Sequence, residues 1–179
     1  TVLDTVRTYF GMRKIDFEIA QESGAPTALR VNGVPRYLRG ALYQSFYPDG
    51  VYTASSVDVI KDDIAYAKKV GFNFLRIHIK VDDPLLYYWA DKVGMLLMAD
   101  MPNFGEGGDT ASGRRRFETM MREAIERDFN HPSIFAWCLF NETWGFGGQT
   151  SFLEKLLAPP PAPAGSDNAV VATEAKKSA

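Results

Sequence analysis

Between residues 38 and 140, short and almost wholly apolar runs alternate with longer segments whose apolar residues recur at helical spacing. This rhythm constrains the fold more than any other feature of the chain. A run that is apolar on both faces suits a strand buried from both sides, and such strands occur in parallel sheets covered by helices. The runs fall at 38–44, 73–79, 95–101 and 134–140. Helices fit between them. Over 56–70, Ser56 is an N-cap, Ile60, Ile64 and Ala67 share a face, and Gly71 is a stop. Asp83-Pro84 places a capping side chain before a proline at the first helical position, ahead of Leu85, Trp89 and Val93, with Gly94 at the end. Over 115–129, Phe117, Met121, Ile125 and Phe129 lie at helical spacing until His131-Pro132 breaks the pattern. Four βα units result.

Parallel βα units build either a doubly wound sheet or an eight-unit barrel. The first strand exits through YQSFYPDG, which is aromatic and bulky and has no glycine-rich phosphate loop. Polar residues collect where the strands end: Gln44, then His78 and Lys80, then Asp100 and Asn103, then Asn141 and Glu142. Barrels assemble their sites on that rim. The expected fold is therefore α/β, an incomplete (β/α)8 TIM barrel comprising its first four units.

Residues 2–19 alternate as a strand would, with Val6, Thr8, Phe10 and Met12 on one face and Ile15, Phe17 and Ile19 following a phase slip near Gly11. ALRVNGVPRYL reads as a hairpin, because Asn32-Gly33 suits a two-residue turn that needs positive φ. Ser151 and Glu154 form a capping-box pattern ahead of Leu156 and Leu157. Residues 158–179 are rich in Ala and Pro and lack aromatics, so a disordered tail is expected. The domain division is 1–22, 23–157 and 158–179.

Several function classes are disfavoured. Twenty basic and twenty-two acidic residues give a net charge of -2, without the basic face that nucleic acid or an anionic membrane requires. The only basic run, Arg114 to Arg116, suits a solvated helix start. No stretch approaches the roughly 20 apolar residues of a membrane span. Cys138 is the single cysteine, and His78 and His131 stand far apart, so neither an internal disulfide nor a zinc cluster is expected. No metal or cofactor is expected, and the compartment is left open.

The chemistry concentrates in NHPSIFAWCLFNETWG, residues 130–145. A carboxylate that follows an apolar run sits at a strand terminus, where partial desolvation favours its protonated form. Such a Glu142 can give a proton to a leaving oxygen. Asn141 can hydrogen-bond a sugar hydroxyl, and Trp144 offers a flat face to a pyranose. Position 142 also suits a glutamate that caps a helix or pairs with an arginine. Tyr43, Phe46, Tyr47 and Tyr52 can line a sugar subsite or pack on the rim.

This segment resembles the acid/base signature of glycoside hydrolase family 2, the β-galactosidase, β-glucuronidase and β-mannosidase relatives, where an HPS stretch leads through a Trp-containing strand to Asn-Glu. DTVRTYFGMRKI resembles the last strand of that family's immunoglobulin-like β-sandwich entering the barrel. VNGVPRYLRGALYQ, DDIAYAKKVGFNFLRIH and YYWADKVGMLLMADMP resemble successive barrel elements. The resemblance runs from about residue 1 to residue 145.

It implies a retaining β-glycosidase acting on a carbohydrate substrate, with Glu142 as general acid/base, Asn141 on the sugar 2-hydroxyl, and Arg76 beneath the site orienting carboxylates. His78, Trp144 and Asp100 complete the implied substrate-binding set. His78 stands one residue from the family's usual Arg-x-x-His spacing. Asp100 stands where galactosidases carry Glu and mannosidase-like members carry Asp. Retention needs a second carboxylate about 5–5.5 Å from the first. After Glu142 the chain offers only Glu154, Asp167 and Glu174, none at a strand end, and Asp100 is the best local substitute. The chain alone is expected to be inactive. Its alternatives are a non-catalytic sugar-binding module, or a half-barrel whose open sheet edges pair with another copy.

Overall fold

The computed structural model describes residues 2–22, 24, 26–102 and 110–142. Asn103, Trp144, the Ser151–Glu154 pattern and the 158–179 tail lie outside the described residues.

The chain enters through a small antiparallel sheet of order β1-β2-β3, made of β1 (Ile15–Ile19), β2 (Pro26–Val31) and β3 (Val34–Arg36). The expected Asn32-Gly33 turn joins β2 to β3, with φ of 53° and 77° at the two residues and Val31 opposite Val34. The long strand anticipated over 2–19 is shortened to β1. Only β1 finds a partner strand, and it pairs with β2 across the anticipated 22/23 boundary. Val6, Phe10 and Met12 lie exposed, because no second sheet covers them among the described residues. Gly11 packs tightly against Pro132, where a Cβ would meet its Cγ at 2.4 Å. Beside it, Arg13 donates to the carbonyl oxygens of Pro132 and Ile134.

The second sheet is parallel, in the order β4 (Gly40–Tyr43), β5 (Phe74–Ile77), β6 (Leu96–Asp100) and β7 (Ile134–Cys138). Sequential order without reversal is what a barrel requires; a doubly wound sheet changes direction at a switch point. β4 and β5 approach so closely at Gly40 that a Cβ would sit 2.1 Å from the Phe74 carbonyl oxygen. The connecting helices are α1 (Val57–Lys69), α2 (Pro84–Val93) and α3 (Ala111–Asp128). Ser56 and Asp83 cap α1 and α2 as expected, and Gly94 closes α2 in the left-handed conformation. α3 starts four residues before the anticipated Arg115, capped by Thr110 onto the Gly113 amide.

Successive strand residues face opposite sides of the sheet. Leu75, Ile77, Leu97 and Ala99 face the helices and form the core with Ile60, Ile64, Leu86, Tyr87, Ala90, Met95 and Ile134. The α2 core stripe is Leu86, Tyr87 and Ala90 rather than the anticipated Leu85, Trp89 and Val93; Trp89 and Val93 pack at its margin. Phe129, anticipated on the core face of α3, lies past the helix end and is exposed. Each aromatic or aliphatic residue on these helices fitted more than one face, and the sheet selected among them.

The opposite face of the sheet carries Leu42, Arg76, Met98 and Asp100. In a closed barrel this face is the interior. The described residues supply four strands of it, and Leu42 on this face is 54% exposed.

Candidate active site

The parallel register aligns Tyr43 with Ile77, Ile77 with Ala99, and Asp100 with Cys138, so the residues that follow each strand emerge at one rim. Asp100, the last residue of β6, has a fully buried side chain. A buried carboxylate needs compensation, and Arg76 on the neighbouring strand supplies it as a fork. Its Nε donates to Oδ1 and Oδ2 at 2.9 and 3.0 Å, and its Nη2 donates to Oδ2 at 2.7 Å. Planar bidentate pairing of this kind fixes orientation as well as charge. The hydrogen bonds it donates to Asp100 hold the Arg76 guanidinium above its ordinary value, against the opposing effect of burial.

Arg76 also ties in the strand beyond. Nη2 donates to Asn141 Oδ1 at 2.9 Å and lies 3.6 Å from Cys138 Sγ. Burial and the Asp100 charge push the Cys138 thiol up, so this cysteine is kept as a neutral neighbour rather than a nucleophile. One guanidinium thus joins the ends of β5, β6 and β7. Asp100 has both oxygens engaged in this fork and takes a further contact from the Ile79 amide at 3.4 Å.

Glu142 follows Asn141 directly, with a left-handed φ of 56°. Its side chain is exposed, in contrast to the partial desolvation expected from the apolar run before it. The run is strand β7, but it ends at Cys138, and the three intervening residues carry Glu142 clear of the sheet. Ser45 and Ile79 also take positive φ, at 47° and 54°, just past the ends of β4 and β5. For Ile79, a β-branched residue, this is a strained conformation. Strain of this type gathers where a rim must aim side chains rather than continue a strand.

His78 follows β5 and places Nδ1 2.8 Å from Gln44 Nε2, beyond β4. Both line a hollow of about 190 Å3 together with Phe46, Tyr52, Ile79 and Lys80. The one-residue offset in the Arg-Ile-His spacing has therefore not turned His78 out of the rim. Glu142 does not line this hollow.

Sequence reasoning missed the polar hub behind it. Lys80 is buried and donates to Ser45 Oγ and Tyr52 O, each at 2.8 Å, with Asp82 at 3.5 Å. Ser45 Oγ in turn donates to Asp82 Oδ2 at 2.6 Å. The only forewarning was two charged residues straight after an apolar strand. The four rim aromatics divide. Tyr43 and Tyr47 pack inward with hydroxyls 3.0 Å apart, and Tyr43 donates to Asp63; burial, then these bonds, push the Tyr43 phenol up. Phe46 and Tyr52 stay exposed, their ring centroids 6.0 Å apart. Among the described residues, no group of three or more His, Cys, Asp or Glu could hold a metal ion, and no helix is long and apolar enough to cross a membrane.

The sequence model described as "Glycosyl hydrolases family 2, TIM barrel domain" matches residues 28–159. A β-galactosidase of Pseudoalteromonas haloplanktis is 31% identical over 140 residues, 74% of this chain and 13% of that protein. A β-glucuronidase of Bacteroides fragilis is 34% identical over 89 residues, 46% of this chain and 13% of that protein. The chain spans between 12% and 16% of the length of the curated relatives it matches. Among solved structures, β-glucuronidase 3 of Bacteroides uniformis superposes with a TM-score of 0.69 at 24% identity, covering 82% of this chain and 19% of that one. That likeness speaks for the fold. With four sequential parallel strands, a polar rim at their C-terminal ends and a family match over most of its length, the chain belongs to glycoside hydrolase family 2, through its TIM barrel domain.

Proposed function

We propose that this chain supplies the acid/base half of a retaining β-glycosidase site, with Glu142 as the proton-transferring residue and the nucleophile absent from the chain. The supporting observation is the Asn141–Glu142 pair just past β7, tied through Arg76 to the ends of β5 and β6. In the first step Glu142 gives its proton to the departing glycosidic oxygen; in the second it takes one from water. Asn141 is held by its carbonyl oxygen on Arg76, which orients the amide for a sugar hydroxyl. The relatives' names, β-galactosidase and β-glucuronidase, set the substrate class as a β-linked glycoside. Residues 1–22 are, in this proposal, the C-terminal strand remnant of an immunoglobulin-like sandwich, whose second sheet would cover Val6, Phe10 and Met12.

Asp100 does not replace the missing carboxylate, since a nucleophile needs a free oxygen and both of its oxygens are occupied by Arg76. The chain alone is therefore expected to release no nitrophenol from aryl β-glycosides above background. Turnover that disappears in Glu142→Gln would overturn the missing nucleophile. Turnover that survives the substitution would remove Glu142 from the chemistry. In a chain joined to four further βα units, Glu142→Gln should cost about 10²–10⁴-fold on alkyl glycosides, and less on nitrophenyl glycosides, whose leaving group needs little protonation.

A further inference from the structure

We propose that the hollow between the ends of β4 and β5 is a subsite for one neutral pyranose ring, stacked on Phe46 and Tyr52, and that it disfavours a uronic acid. This rests on the glycosidase proposal and deepens it, since the relatives divide between neutral and acidic sugars.

Size comes first. At about 190 Å3 the hollow falls below the roughly 300–1,000 Å3 of sites that enclose drug-sized ligands, which suits a single ring. Its walls pair an apolar surface with a small polar set. Phe46 and Tyr52 are 63% and 52% exposed, and their planes meet at 56°, making an open corner of aromatic faces. The C–H face of a pyranose lies against such a ring while its hydroxyls point outward. Gln44 and His78 supply those hydroxyls with partners. The Gln44 amide nitrogen lies 2.8 Å from His78 Nδ1, so the two side chains hold each other in place at the wall of the hollow.

The aromatic corner is built in advance. Tyr47 and Val51 exchange backbone hydrogen bonds at 3.0 and 2.8 Å, closing the loop between Phe46 and Tyr52. Gly50 is demanded by that turn, since a Cβ would sit 1.8 Å from the Thr53 carbonyl oxygen. Lys80 pins both ends of the loop, through Ser45 and the Tyr52 carbonyl. A loop fixed before binding loses little entropy when a sugar arrives.

Charge then selects the sugar. The ammonium of Lys80 lies 4.5 Å from the Tyr52 ring centroid, so a uronate would meet it first. Yet its donors are committed to Ser45 and Tyr52, and its charge is balanced by Asp82. Arg76, the other cation of this rim, is committed to Asp100 and Asn141. A carboxylate entering the hollow would give up water without gaining a counter-charge, which weakens its binding relative to a neutral ring.

The test is saturation-transfer NMR on the full chain with methyl β-D-galactoside, methyl β-D-glucoside, methyl β-D-mannoside and methyl β-D-glucuronide. At least one neutral glycoside should bind saturably, about tenfold tighter than the glucuronide. Phe46→Ala and Tyr52→Ser, both exposed positions, should each weaken it about three- to tenfold, with the circular dichroism spectrum unchanged. Tyr66→Ser, at an exposed position on α1 outside the hollow, should leave it unaltered. Tighter glucuronide binding overturns the neutral preference, and no binding by any probe overturns the subsite. Binding that ignores Phe46 and Tyr52 but is lost in Glu142→Gln overturns the aromatic corner while leaving the acid/base proposal standing.

Discussion

The two ends of the parallel sheet are built on opposite plans. At the N-terminal end a cavity of about 350 Å3, lined by Met12, Arg13, Asn32, Lys68, Asp91 and Pro132 among others, separates the entry segment from the strand starts. It is the larger of the two hollows, yet its polar groups serve the scaffold. Asp91 accepts from His131 Nδ1 at 2.6 Å, from the Ser133 amide at 2.8 Å and from Tyr9 at 2.6 Å, so α2 holds the entry segment and the start of β7 together. Lys68 donates to the Gly94 carbonyl oxygen. Here the left-handed positions fall to Gly94 at the α2 cap and to Asn32 and Gly33 in the hairpin turn, residue types that tolerate that conformation. At the C-terminal end the hollow is smaller, but Ser45, Val51, Ile79 and Glu142 adopt left-handed backbone without being glycine. Cavity size favours the N-terminal end, whereas strained backbone and a guanidinium shared among three strands favour the C-terminal rim, where barrels carry their sites.

The largest effect should come from breaking that shared guanidinium. Arg76→Met leaves Asp100 buried without its cation, which should cost about 3 kcal/mol in urea unfolding, a large share of the 5–15 kcal/mol typical of a domain. The double variant Arg76→Met with Asp100→Asn should regain part of the loss, because no uncompensated charge is left. If Arg76→Met unfolds at the wild-type urea concentration, the fork is a surface decoration and the contrast between the two ends fails.

The corresponding change at the other end is smaller. Asp91→Ala removes the acceptor of three hydrogen bonds and should cost about 2 kcal/mol. The pH dependence sharpens this. Burial acts to raise the Asp91 carboxyl, but the bonds from His131, Ser133 and Tyr9 outweigh it and hold the carboxyl below the usual range. A folded-state value below the unfolded one means this contribution is present in full above the unfolded value. It fades as pH falls through the folded value, below about pH 4. Asp91→Asn should therefore flatten the acid limb of the stability profile. An acid limb identical in wild type and variant would show that other carboxylates control it.

These residues also mark what was legible in the sequence. The four strands, the caps at Ser56 and Asp83 and the Asn32-Gly33 turn could be read because each rests on local chemistry: an apolar run, a capping oxygen, a residue that tolerates positive φ. The clustering of Arg76, Asp100, Asn141 and His78 at one rim followed from register once the strands were placed. The start of α3 was hidden because its first turn, Ala111 to Arg114, carries no apolar periodicity. The core stripe of α2 was misplaced because LLYYWA offers apolar candidates on nearly every face, and only the sheet decides among them. The Lys80–Ser45–Asp82 hub joins residues from two loops that sequence distance does not relate. Glu142 was expected to be desolvated on the strength of the residues before it. Its exposure follows from β7 ending at Cys138, a boundary that the apolar run reaching to Phe140 does not mark.

The smallest effect tests the strain contrast directly. Val51 has φ of 54° and a side chain 68% exposed, so it makes few contacts that repay its backbone. A β-branched residue in this conformation carries a penalty of order 1–3 kcal/mol, while glycine adopts it freely at the cost of a more flexible unfolded chain. The difference favours Val51→Gly by about 0.5–1 kcal/mol, a stabilising substitution on the rim of a loop. Gly94→Ala at the other end should do the reverse by a similar amount, since its φ of 68° suits only the residue already there and no neighbour lies within 4 Å of a new Cβ to add a clash. Opposite signs in thermal unfolding would place the strain at the C-terminal rim. Two losses of equal size would mean that Val51 is held by contacts stronger than its backbone penalty, and that the rim is no more strained than the base.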